Sequence, residues 1–180
     1  MLQDAGKVTE NGAALSGAGY QPAAWHRATV PGTVLTSLVN DGIYPEPLYG
    51  ENNRPDKIPD TLCRTTWWYR DVFTVPNSYA GKQIWLNFNG INYTAEVWVN
   101  GKTVGSVKDA FARGIFDVTS NVVVGGKNIV AVHISPQPHP GETHEKTIAT
   151  GTGLNGGITA IDGPAFLCTI GGDCPQNPAE

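Results

Sequence analysis

The chain has 180 residues, with 12 basic and 16 acidic side chains and a formal net charge of −4. Charged residues make up 16 %, while 22 glycines and 13 prolines are about one residue in five, against roughly one in eight in average proteins; that balance disfavours a helical bundle. An acidic chain lacks the cationic surplus that phosphate binding needs, and no apolar run approaches the roughly 18 residues of a membrane span, so neither nucleic acid nor membrane is an expected partner.

In chain order, Gly, Ala and Ser crowd residues 11–24, and the expectation there is loop around a short strand near Lys7. Val30-Pro31-Gly32-Thr33 turns the chain. Thr33 is placed to N-cap a short helix whose Val34, Leu35, Leu38 and Val39 share a face, with Gly42 ending it. A proline-rich loop follows from Tyr44 to Leu62; loops this long in compact domains are usually functional or packed across a surface. From Thr65 the period becomes two: Trp67, Tyr69, Asp71 and Phe73 face one way, Trp68, Arg70, Val72 and Thr74 the other. Ile84, Leu86 and Phe88 alternate with Trp85, Asn87 and Asn89. Ala95, Val97 and Val99 alternate with Glu96 and Trp98 up to Asn100-Gly101, which suits a type I′ hairpin turn. Val104 and Val107 fit the return strand, residues 116–119 another short strand or turn, and Ile129–Ile134 a strand with Val130, Val132 and Ile134 on one face. The tail from His139 to Glu180 is Gly-rich, with residues 166–170 as a further strand. Short strands at about ten-residue intervals predict an all-β sandwich of jelly-roll type with one short helix. A single domain is expected over residues 1–180, with 171–180 as a C-terminal linker.

The candidate chemistry is sparse. Trp67, Trp68, Tyr69, Trp85 and Trp98 include rings able to stack on sugars, yet alternation sends about half of them into the core. His139, Glu142, His144 and Glu145 lie together, but Pro140 and Gly141 prevent the helix that would aim two imidazoles at one metal. Asn92-Tyr93-Thr94 matches a glycosylation triplet of a kind common by chance. The three cysteines, Cys63, Cys168 and Cys174, make no disulfide framework; Cys168 and Cys174 are close enough in sequence to pair, and free thiols are the favoured reading. Met1 to Lys7 shows no leader peptide. No catalytic carboxylate pair is identifiable.

Taken together, Trp25, Val30-Pro31-Gly32-Thr33-Val34, Tyr49-Gly50-Glu51-Asn52-Asn53, Trp67-Trp68-Tyr69-Arg70, Phe88-Asn89-Gly90-Ile91-Asn92-Tyr93, Ala95-Glu96-Val97-Trp98-Val99-Asn100-Gly101, Phe116-Asp117-Val118-Thr119 and Gly126-Lys127-Asn128 resemble the N-terminal sugar-binding domain of glycoside hydrolase family 2, in its β-mannosidase and exo-β-glucosaminidase branch. The resemblance implies a galactose-binding-like jelly roll. It also implies a longer parent, periplasmic or secreted, whose immunoglobulin-like and TIM-barrel domains are absent here, since 180 residues cannot hold a barrel of about 250. The barrel of the family carries the two glutamates of a retaining reaction, so this chain is expected to be inactive alone. Its expected partners are carbohydrate and the remaining domains of that parent. No cofactor is required, and calcium, held by many jelly rolls of this type, has no assignable ligand set. In that branch a Gly-Trp-Asp-Trp-x-Pro run binds sugar hydroxyls. Here Gly171-Gly172-Asp173-Cys174-Pro175 keeps the carboxylate at Asp173 and loses both indoles. The upstream Asn155-Gly156-Gly157 to Asp162-Gly163-Pro164 stretch resembles the exo-β-glucosaminidase version more, so Asp173, Asp162 and Asn155, with Trp98 from the aromatic cluster, are the candidate substrate-binding residues. Asn52, Asn53 and Arg64 read as anchors of the long loop. A free-standing lectin-like module is the alternative.

Overall fold

The computed structural model describes residues 1–54, 56–109 and 111–136. Strand β1 (Leu2–Asp4) is followed by α1 (Gly12–Leu15), α2 (Val34–Asn40), β2 (Trp67–Thr74), β3 (Trp85–Phe88), β4 (Thr94–Val99), β5 (Lys102–Lys108), β6 (Gly114–Asp117) and β7 (Lys127–Ser135). These residues group into two compact units, one of residues 1–26 with 66–135, the other built around 27–65.

The first unit is a β-sandwich. Its larger sheet runs β1-β2-β7-β4-β5, antiparallel throughout, and β3 and β6 pair as a two-stranded ribbon. Alternation aims Ala95, Val97, Val107 and Val132 at the ribbon, where Leu86, Phe88 and Phe116 close the core with Tyr69, Val130 and Ile134. That is the phase expected from the period-two pattern of β3, β4 and β7. Asn100 and Gly101 take φ of 49° and 84°, the two positive angles of a type I′ turn. Between Val97 and Trp98 the β4–β5 register shifts by one residue. Gly105 sits at this bulge with φ 155°, and a Cβ there would stand 2.4 Å from the Phe116 ring, so only glycine lets β5 approach the ribbon so closely.

The opening segment departs from expectation. The strand is Leu2–Asp4, and Lys7 lies in a 3-10 turn over Ala5–Lys7. A second short helix, α1, stands where loop was expected. Asn11 caps it by accepting from the Ala14 N–H at 3.0 Å. Gly12 lies against Trp98 so tightly that a Cβ would come within 2.2 Å of the indole, and Leu15 is fully buried. Gly-Ala-Ala-Leu has little helix-forming strength of its own at four residues; contact with the sheet supplies it.

In the second unit α2 follows the expected design. Thr33 Oγ1 accepts from the Thr36 N–H at 3.0 Å. The Gly42 N–H reaches the Val39 carbonyl and the Ile43 N–H the Leu38 carbonyl, a Schellman stop with Gly42 at φ 76°. Val34, Leu35 and Leu38 form the buried face.

Candidate functional site

The sheet has a second covered face. Leu15, Trp68 and Ala131 form a buried cluster there, joined by Ala5, Val8, Tyr20, Trp25 and Trp98. Trp98 and Trp68 lie 5.4 Å apart between ring centroids, and His133 lies 4.4 Å from Trp68. Arg70, also buried, donates from Nε to the Leu15 carbonyl at 2.9 Å and lies 5.8 Å over the Tyr20 ring. These residues fasten the segment 1–26 to the strands. Trp98 is thus half-buried beneath α1, its face used by Trp68 and Gly12. Burial holds the His133 imidazole below its ordinary pKa, partly offset by the Glu96 carboxylate across the strand pair.

Of the five aromatic residues flagged along β2, β3 and β4, Trp67 and Trp68 are buried, Tyr69 and Trp98 are half-buried, and Trp85 is 50 % exposed. The outward phase of β3 and β6 carries Trp85 and Asn87 opposite Asp117 and Ile115, all four exposed. Thr119 organises this edge. Its N–H donates to Asp117 Oδ1 at 2.9 Å, and its hydroxyl oxygen accepts from the Ile84 N–H at 2.8 Å. Hydrogen bonds from the Thr119 side chain and backbone hold the Asp117 carboxyl below its ordinary pKa. Reading from sequence passed over Trp85 and Asp117 as a pair; the signal available was that Leu86 and Phe88 claim the inward phase.

In the second unit the long loop is tied to itself. Asn52 Nδ2 donates to the Glu46 carbonyl at 3.0 Å and the Leu48 N–H to Glu46 Oε1 at 3.2 Å. Arg54 pairs with Glu51. Asn52 is therefore an anchor, as its amide chemistry suggested. Leu48 and Tyr49 at the loop's crest are 93 % and 78 % exposed.

Asp173, Asp162 and Asn155 lie outside the described residues, as do the 166–170 strand, the His139–Glu145 group and the Cys168–Cys174 pair. Among the described residues no three His, Cys, Asp or Glu side chains converge as a metal site, and no helix is long and apolar enough to cross a membrane.

A five-stranded antiparallel sheet faced by a two-stranded ribbon defines a β-sandwich domain. The chain belongs to the family described as "Glycosyl hydrolase 2 galactose-binding domain-like", which it matches over residues 7–167. It is similar to an exo-β-D-glucosaminidase of Streptomyces avermitilis, 38 % identical over 138 residues, which are 75 % of this chain and 15 % of that one. A mannosylglycoprotein endo-β-mannosidase of Lilium longiflorum is 38 % identical over 122 residues, covering 67 % of this chain and 13 % of its own. Among solved structures, the exo-chitosanase CsxA of Amycolatopsis orientalis is similar with a TM-score of 0.67 at 29 % identity, over 77 % of this chain and 16 % of that one. The chain spans about one seventh of the length of these relatives, and it is a non-catalytic domain of the glycosidase family.

Proposed function

We propose that this domain serves a retaining β-glycosidase by docking on its catalytic barrel and shaping one edge of the pocket that receives a terminal β-linked sugar. The observation that carries the reading is the alignment itself: three quarters of the chain matches a glucosaminidase of which it is only 15 %. The names of the relatives point to amino sugars and mannosides as the substrate class. Asp173 is the residue we assign to sugar hydroxyls, because a carboxylate flanked in sequence by the short side chains of Gly172 and Cys174 can approach a ligand and accept two hydroxyl protons. The exposed Leu48 and Tyr49 offer apolar area for a neighbouring domain.

The test is expression of the open reading frame that contains this sequence, alongside the 180-residue chain. Nitrophenyl β-glycosides should be hydrolysed by the longer product and left intact by the chain alone. A frame that stops at codon 180, or hydrolysis by the isolated chain, would overturn the reading. The lectin-like alternative predicts saccharide binding with no glycoside hydrolysis by the longer product.

A further inference from the structure

We propose that the outer face of the β3–β6 ribbon is a binding platform for β-linked amino-sugar chains, with Trp85 as the stacking surface and Asp117 as the acceptor for a sugar ammonium. The platform is separate from the pocket edge assigned to Asp173, and it rests on the reading that the parent enzyme acts on amino sugars.

Trp85 and Asp117 are directly opposed in the ribbon's register, and Asn87 and Ile115 form the next opposed pair on the same face. Neighbouring strands stand about 4.8 Å apart and alternate residues about 6.8 Å along a strand. Around the Trp85 indole, Asp117 therefore stands across the ribbon and Asn87 along the same strand, its amide donating to the Trp85 carbonyl at 3.4 Å, so a pyranose ring lying on the indole has the Asp117 carboxylate beside its edge. The opposite phase of both strands is filled by Leu86, Phe88 and Phe116 in the core, so the indole is held by a packed ribbon and is 50 % exposed.

The carboxylate is fixed in place as well. Thr119 bonds both Asp117 Oδ1 and the Ile84 N–H, tying the carboxylate to the residue that precedes Trp85. The carboxylate is exposed at the ribbon's edge, where a ligand can reach it. A stationary anion beside an exposed indole suits a cation attached to an apolar ring face, which is the chemistry of a protonated amino sugar. The apolar part of the face is Trp85 and Ile115, far short of the roughly 800 Å² per partner that a stable protein interface needs. A narrow aromatic strip edged by polar groups fits a saccharide better than a second protein.

The experiment is titration calorimetry of the 180-residue chain at mildly acidic pH with a β-1,4-linked glucosamine hexamer and with its N-acetylated counterpart. The amine hexamer should bind and the acetylated one bind more weakly. Trp85→Ala should weaken binding of the amine hexamer about tenfold, and Trp85→Tyr should restore most of it. Asp117→Asn should weaken the amine hexamer about threefold and leave the acetylated one unchanged. Unchanged thermal midpoints for the Trp85 variants show that the fold is intact. No heat with the amine hexamer, or full affinity in Trp85→Ala, overturns the platform. Equal affinity for both hexamers overturns the ammonium assignment. The hydrolysis assay on the longer product judges the parent reading apart from either result.

Discussion

Asn128 is fully buried and uses its whole amide. Its Oδ1 accepts from the Val123 N–H at 2.6 Å and from Asn100 Nδ2 at 2.8 Å, and its Nδ2 donates to the Val123 and Gly126 carbonyls. Asn100 extends the network to the Ile129 N–H and the Asn121 carbonyl. Asn128→Ala would strand several of these groups away from water, at a cost of roughly 3 kcal/mol, read as a lowered urea midpoint with unchanged slope. Asn128→Asp keeps the acceptor, loses both donations and places a charge there; it should be at least as damaging. His133 sets a pH dependence. Its folded pKa lies below the unfolded value of 6.5, so the unfolded chain binds the proton more readily. This contribution is present above pH 6.5 and is lost as pH falls through the folded pKa. Thermal midpoints measured downward from pH 7.5 should fall through this window, and His133→Gln should flatten that part of the profile.

At the scale of elements, the helix α2 and the β4–β5 hairpin were readable because their ends are written in local chemistry. Thr33→Ala removes the cap on the Thr36 N–H and should cost about 1 kcal/mol, whereas Thr33→Ser should be nearly neutral; chemical denaturation of the pair separates capping from packing. Gly105 shows the limit of local reading. Within β5 it looks like a weak strand residue, and its reason is the Phe116 ring of β6, 2.4 Å from where a Cβ would stand. Gly105→Ala should destabilise by about 2 kcal/mol, and combining it with Phe116→Leu should recover part of that loss in a double-mutant cycle. The helix α1 is the same case in reverse. Its apolar content is one leucine, and the surface that makes it helical, Trp98 and Trp68, lies far along the chain.

At the scale of the whole molecule, Asp173 is proposed to act only within a longer enzyme. Asp173→Ala in that enzyme should lower kcat/KM at least tenfold, about 1.4 kcal/mol, whereas a purely structural tail leaves it unchanged. Much of the architecture was legible in advance. The alternation of Leu86 with Phe88 and of Ala95, Val97 and Val99 states which side of each strand is apolar, and the ordered motifs from Trp25 to Asn128 carry the family. The candidate site was less legible. Trp98 drew notice as an aromatic on a strand; its ring lies against Trp68 and under Gly12. Trp85, equally aromatic and equally on a strand, is the indole left half in solvent.

By itself the sequence determined the strands at Trp67–Thr74, Trp85–Phe88, Thr94–Val99, Lys102–Lys108 and Lys127–Ser135 and their phases, the Asn100-Gly101 turn, the limits of α2 and membership of the family, because periodicity and caps act between residues a few positions apart; it misplaced the first strand, expected near Lys7 and found at Leu2–Asp4, and the one expected at 116–119, found at Gly114–Asp117. The tertiary structure alone decided the sheet order, the existence of α1, the need for glycine at 105 and which tryptophan faces water. A strand's alternation distinguishes two faces without saying what covers either. The cover comes from segments remote in sequence, such as residues 1–26 lying over the Trp68 face, and only their packing assigns one indole to the interior and leaves another half in solvent.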